Sequence, residues 1–134
     1  MFAHLNAMKA RIEAAGFTTY LLDATGTTTW PYALILPGYS RPGDLPVAGD
    51  AGVIDEDLRV TSVALGTESL SIVRAGVFAA LSPGKQTTRL PVSGRRASLR
   101  FVRTEFTAVD RDVNHNGAHP LFTVETFHLL SAPA

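Results

Sequence analysis

The chain contains no cysteine. That single absence excludes a disulfide scaffold, thiol catalysis and every cysteine-based zinc or iron–sulfur site. Lysine is scarce as well, two residues against ten arginines. No apolar run approaches the ~18–20 residues that a membrane-spanning helix requires. The N-terminal stretch does not read as a secretory signal, because Lys9, Arg11 and Glu13 interrupt its apolar pattern. No G-x-S-x-G elbow is present. Ser82-Pro83-Gly84-Lys85-Gln86 has the composition of a phosphate loop but fails the G-x-x-x-x-G-K-[ST] frame at Ala79 and Gln86.

What is present is a globular composition. Of 134 residues, 46% are hydrophobic and 18% charged, which excludes intrinsic disorder. The length fits one domain over residues 1–134, able to fold without a metal or a cross-link. The net charge of zero hides an asymmetry. Residues 1–68 hold four basic and eight acidic side chains, net −4, and residues 69–134 hold eight and four, net +4. A molecule charged in this way is suited to stacking head to tail with its own copies.

Phe2, Leu5, Met8, Ile12 and Ala15 step at helical spacing, and Gly16 follows as a stop. Phe17 to Leu22 and Trp30 to Leu36 read as two strands, and the turn residues Asp23 to Thr29 predict a hairpin between them. Pro37 to Asp57 holds three prolines and four glycines and has no period. It reads as a long loop, expected to act as an arm toward a neighbouring subunit. Leu58 to Leu65 alternates weakly and predicts a bulged strand. Thr67 then fits an N-cap ahead of a helix carrying Leu70, Val73, Val77 and Leu81, closed by Pro83-Gly84. A short strand is expected around Thr88 to Val92, and long strands over Ala97 to Val109 and Leu121 to Ser131. The order α-β-β-β-α-β-β predicts an α+β fold, an antiparallel-rich mixed sheet covered by two helices.

Few groupings carry chemistry. Asp112-Val113-Asn114-His115-Asn116-Gly117 matches the first half of a calcium loop, but Thr123 stands where a bidentate Glu belongs, so a plain turn is the expected reading. His115 and His119 have zinc-like spacing without further ligands, and all four histidines, His4 and His128 included, read as structural or surface residues. The carboxylates Asp55, Glu56, Asp57, Asp110 and Asp112 are expected in loops. Lys85 to Arg103 carries six basic residues and no acid. Strict strand alternation puts Arg103 on the opposite face from Arg96 and Arg100, which argues against a continuous nucleic-acid track. No catalytic residue, cofactor or metal ligand is expected.

The layout as a whole resembles the tail terminator (tail completion) proteins of long-tailed bacteriophages. The resemblance runs through the Phe2 to Ala15 helix, the "GFTTYLL" and "WPYALILPG" strands and the Pro/Gly loop. It continues through "LRVTSVALGTESLSIVRAGVFAAL" and "VSGRRASLRF" to the closing "HPLFTVETFHLLSAPA". It implies a structural virion protein at the head-proximal end of the tail, assembled in the host cytoplasm. Such a protein forms a hexameric ring that caps the tail tube, ends tube polymerisation and offers a surface to a head-side connector or stopper protein. DNA passes through its lumen without specific binding, and no membrane is involved. Under that reading Arg41, Asp44, Asp55, Asp57, Arg95, Arg96 and Arg100 are the expected interface residues, through the loop and the basic segment. The alternatives are another connector or stopper of the phage neck, a small calcium-binding module built on Asp112 to Asn116, and an enzyme whose acid–base pair is assembled from loops.

Overall fold

In a computed structural model, residues 2–22, 30–37, 52–113 and 117–134 are described. The elements are α1 (Phe2–Ala14), β1 (Thr18–Leu21), β2 (Tyr32–Leu36), β3 (Ile54–Ala64), α2 (Thr67–Leu81), β4 (Thr88–Leu90), β5 (Arg95–Val109) and β6 (Leu121–Pro133). A one-turn 3-10 helix over Pro83–Lys85 leads into β4. The strands form one sheet in the order β1-β2-β3-β6-β5-β4. All neighbours are antiparallel except β1 and β2, which run parallel. The α+β expectation therefore holds, and the N-terminal hairpin does not. Ten residues separate Leu21 from Tyr32, a reach of about 33 Å when extended. That is enough to carry the chain back along a four-residue strand, and a Gly-containing segment reads alike in a hairpin and in a crossover. The predicted turn itself, residues 23–29, lies outside the described residues.

Both helices cover one face. From α1, Leu5, Met8 and Ile12 are buried, and from α2, Leu70, Val73, Val77 and Leu81. The inward side chains of the sheet meet them, among them Ala33, Ile35, Leu58, Val60, Phe127 and Leu129. Each large apolar side chain buried here contributes roughly 1.5–3 kcal/mol. The ends of the predicted α1 stripe fail: Phe2 is 62% exposed and His4 is buried in its place. The predicted Thr67 cap also fails. Gly66 is the N-cap, with no side-chain bond, and its carbonyl accepts from the Leu70 N–H at 3.0 Å. Extended backbone at Gly66 lets the helix begin one residue earlier than a threonine cap would allow.

Residues 38–51 of the predicted Pro37 to Asp57 loop lie outside the described residues, and its last four residues are strand. Ile54, Asp55, Glu56 and Asp57 belong to β3, where they pair with Ser131, Leu130, Leu129 and His128. The acidic run has poor strand propensity, but β6 supplies the ladder that overrides it. No register shift interrupts β3, so the predicted bulge is absent there. The bulges lie in β5, between Phe101 and Arg103 and between Thr104 and Phe106.

Two packing details fix α2 on the sheet. Arg74 of α2 donates from Nε to Glu125 Oε1 at 3.0 Å, and Thr104 donates to Glu125 Oε2 at 3.1 Å. Glu125 is 1% exposed. Beyond α2, the buried Ser82 hydroxyl donates to the Gln86 carbonyl at 2.6 Å and accepts from the Phe101 N–H at 3.2 Å. The stretch with phosphate-loop composition is thus a structural turn. At Gly76, a Cβ would stand 1.9 Å from the Phe17 ring.

Two stability measurements follow. In an exposed helix, Gly→Ala gains about 1 kcal/mol. Here Gly76→Ala is expected to lose about 1–3 kcal/mol in urea unfolding, because Phe17 must move out of the core edge. Arg74→Met strands a buried carboxylate and is expected to cost about 2–4 kcal/mol, whereas Arg74→Met with Glu125→Leu recovers most of that loss. A double variant as unstable as the single would refute the desolvation account.

Candidate interaction surface

The face of the sheet away from the helices carries no covering element among the described residues. Its composition follows from register. On β6 the inward residues are odd-numbered, so Phe122, Val124, Thr126, His128 and Leu130 face outward. Their β3 partners Val63, Thr61, Arg59, Asp57 and Asp55 face outward beside them.

One half of this face is apolar. Tyr32 lies edge-on to Tyr20 with ring centroids 5.4 Å apart, and Trp30 lies 5.3 Å from Tyr32. Phe106 and Phe122 make a second edge-on pair at 5.7 Å. Burial raises the Tyr32 phenol above its usual value, with Tyr20 and the Asp110 carboxylate adding to the effect. The side chains of Val63, Val124 and Thr126 are buried although they point away from the helices.

The other half is charged, and β5 decides its arrangement. Arg96 pairs with Ala132, Arg100 with His128 and, after the first bulge, Arg103 with Thr126. Ala132, His128 and Thr126 are alternate residues of one strand, so all three arginines share the outward face. The expectation that Arg103 faces away is therefore corrected. The extra residue Val102 reverses the alternation, and the extra residue Glu105 restores it. Arg103 donates to Glu105 at 3.0 Å, and Thr126 donates to the same carboxylate at 2.6 Å. The Thr126 bond, followed by the Arg103 charge, holds the Glu105 carboxyl below its ordinary 4.5.

His128 lies between two acids. Its Nε2 is 2.7 Å from Asp55 Oδ1 and its Nδ1 is 2.8 Å from Asp57 Oδ1. Carboxylates only accept, so the ring fills both bonds when both nitrogens carry protons. This trio is a hydrogen-bonded cluster, and no group of three or more side chains placed to hold a metal ion occurs among the described residues.

The expected interface residues separate into three groups. Asp55, Asp57, Arg96 and Arg100 come together on the outward face, all exposed. Arg95 points the other way. It donates to Ser131 Oγ at 2.7 Å and to the Gly52 carbonyl, and His4 Nε2 is 2.8 Å from the same Ser131 hydroxyl. These groups border an open cleft of about 340 Å³ between the α1 N-terminus and the turn before β5, lined by His4, Val92, Ser93, Gly94, Arg95 and Pro133. Arg41 and Asp44 lie outside the described residues. So do residues 114–116 of the calcium-like segment, at whose borders Asp110 Oδ1 accepts from the Asp112 N–H and His119 Nδ1 is 2.8 Å from the Val113 carbonyl. His128, read from the sequence as a structural or surface residue, and Arg89 belong to this surface without being among the expected interface residues. Asp-x-Asp on one strand and a lone His on another signal a cluster only once the register between them is known.

The fold is shared with solved proteins. One structure known by a sequence label alone aligns over 96% of this chain and 91% of its own, with TM-score 0.53 and 12% identity. A chain from the virion of a native gene transfer agent particle aligns over 97% of this chain and 99% of its own, with TM-score 0.52 and 17% identity. No family model and no curated protein matches the sequence. No helix among the described residues is long and apolar enough to cross a membrane.

The depressed Glu105 value has a testable sign. A folded-state pKa below 4.5 means that the Thr126 and Arg103 contacts stabilise the protein fully above that pH and cease to do so as the pH falls through the folded value. Acid unfolding of Glu105→Gln is expected to depend less on pH below 4.5 than that of the parent. NMR titration should place the Glu105 carboxyl below 4.5, and a value above it refutes the assignment.

Proposed function

We propose that this chain is a structural protein of a phage-like virion and that its role is tail termination. Six copies form a ring on the head-proximal end of the tail tube, stop its polymerisation and present a joining surface to a head-side connector or stopper protein. DNA passes through the ring. The observation that carries this reading is the end-to-end match, over 97% and 99% of the two chains, to a component of a gene transfer agent virion. The order of elements resembling tail terminators, from α1 to the closing β6, supports the finer assignment.

The geometry agrees in kind with assembly. The molecule offers a broad outward sheet face with exposed charge of both signs and exposed apolar side chains, among them Phe106 and Leu130. A ring requires two different, complementary surfaces on each subunit, and the polar distribution of charge along the chain provides for that. Weak ring contacts form on the tube by mass action, so a monomer in dilute solution is compatible with the role.

Electron microscopy of lysates from the phage lacking this gene tests the proposal. Headless tails of uncontrolled length are the expected result. Tails of normal length that fail to join filled heads would assign a connector or stopper role instead, and intact infectious particles would refute a role in the tail.

A further inference from the structure

The charged half of the outward face has a regular layout across three strands. On β3, Asp55 and Asp57 form an acidic strip, 64% and 51% exposed as side chains. On β6, His128 and Leu130 form a central strip, and Leu130 is 47% exposed. On the far side of β6, Arg96 and Arg100 of β5 form a basic strip, and Arg89 of β4 joins it through its pairing with Ser98. Register places Asp57, His128 and Arg100 in one row across the sheet and Asp55, Leu130 and Ser98 in the next. No ion pair engages Arg89, Arg96 or Arg100 among the described residues.

From this layout we infer that the outward face pairs with the same face of a second copy about a two-fold axis running along β6. Rotation about that axis exchanges the two sides of β6 and preserves position along it. The acidic strip of one copy then lies over the basic strip of the other. Arg100 meets the partner's Asp57, and Arg89 and Arg96 flank the partner's Asp55. Leu130 meets its own symmetry mate at the centre. The contact is isologous, so every attraction occurs twice. What favours a copy of this chain over an unrelated acidic partner is the match of spacing. Two acids stand on the same face, one strand beyond β6: Asp57 in the row of Arg100 and Asp55 in the row of Arg89, with Arg96 one outward row further along. Sheets that stack face to face keep their strand directions within about 30° of each other, and an axis along β6 sets the two β6 strands parallel. The pairing is independent of the tail-terminator reading, since a two-fold contact closes on itself and cannot propagate into a ring.

Sedimentation equilibrium of the full chain tests this. At low ionic strength the mass is expected to rise toward twice the monomer with concentration. It should return to the monomer in ~1 M salt, where screening acts within about 3 Å. The variant Arg96→Glu/Arg100→Glu and the variant Asp55→Arg/Asp57→Arg should each weaken self-association about tenfold or more, since each brings like charges together. Mixed in equal amounts, the two variants should pair with each other as a 1:1 species, one face acidic on both sides of β6 but for Arg89 against one basic on both sides. That rescue also shows that both variants are folded. A wild-type monomer at ~1 mM in low salt, a dimer indifferent to both variants, or a mixture that stays monomeric would each overturn the inference. A six-fold mass unchanged in the variants would overturn it while leaving the ring intact. Pairing with rescue, in a chain whose deletion leaves tails normal, would uphold it while removing the tail role.

Discussion

The pairing of β5 with β6 is the constraint on which the other elements rest. It is the longest strand pairing among the described residues, running from Arg95 opposite Pro133 to Val109 opposite Leu121. Its inward side supplies Leu99, Phe101, Phe127 and Leu129, against which α2 docks. Phe78 of α2 lies 4.8 Å edge-on from Phe101. Its outward side sets the charged rows. Beyond Phe101 two extra residues, Val102 and Glu105, each turn the side-chain alternation over once. An unbulged β5, continuing from Phe101 opposite Phe127, would set Arg103 opposite Glu125 on the helix side. With the bulges, Thr104 stands there, and Arg103 turns outward to Glu105. The buried carboxylate is thereby left to a single guanidinium, Arg74, which arrives from α2.

That ion pair adds little net stability against an apolar pair of the same shape, because both charges must leave water. Its effect is on specificity. Glu125 accepts from a helix and from a neighbouring strand at once, so it ties the rotation of α2 to the register of β5. A one-residue slip of β5 would withdraw Thr104 from Glu125 and move Arg100 and Phe101 to the wrong faces together. Stability comes instead from the apolar inner layer, where Val73, Val77 and Leu81 meet Leu58, Val60 and Leu129.

Much of this fold was legible in the sequence because local signals and tertiary demands agree. The Leu70, Val73, Val77 and Leu81 stripe buries as its spacing indicates, and the apolar runs of β2, β5 and β6 become strands. The failures have a common physical origin in long-range pairing. Ile54 to Asp57 looks like loop because acidic residues are poor in strands, yet β6 holds it in register. Phe17 to Leu22 and Trp30 to Leu36 looked like a hairpin because orientation is not encoded in either segment. The bulges at Val102 and Glu105 leave no mark in composition, so the face of Arg103 could not be read. His128 illustrates the same limit for the surface: its two aspartates lie 71 and 73 positions away in the chain and meet it only through the β3–β6 register.

Symmetry then constrains how such a surface is used. A face whose acidic and basic strips flank one central strand complements its own copy and closes at two subunits. The two ends of the sheet order are unlike each other, β1 on one side and β4 with β5 on the other. β4 covers only Ala97 to Leu99 of β5. From Arg100 to Val109, β5 pairs on its β6 side alone among the described residues, and the exposed Phe106 and Val109 lie along that stretch. An open edge of this length invites unwanted strand addition. The two bulges break its ladder geometry, and Arg100 and Arg103 place charge along it, so growth of a continuous sheet between copies is disfavoured. The two irregularities, the first of which turns Arg103 to the outward face, therefore also restrict the edge and leave side chains instead of backbone exposed along it.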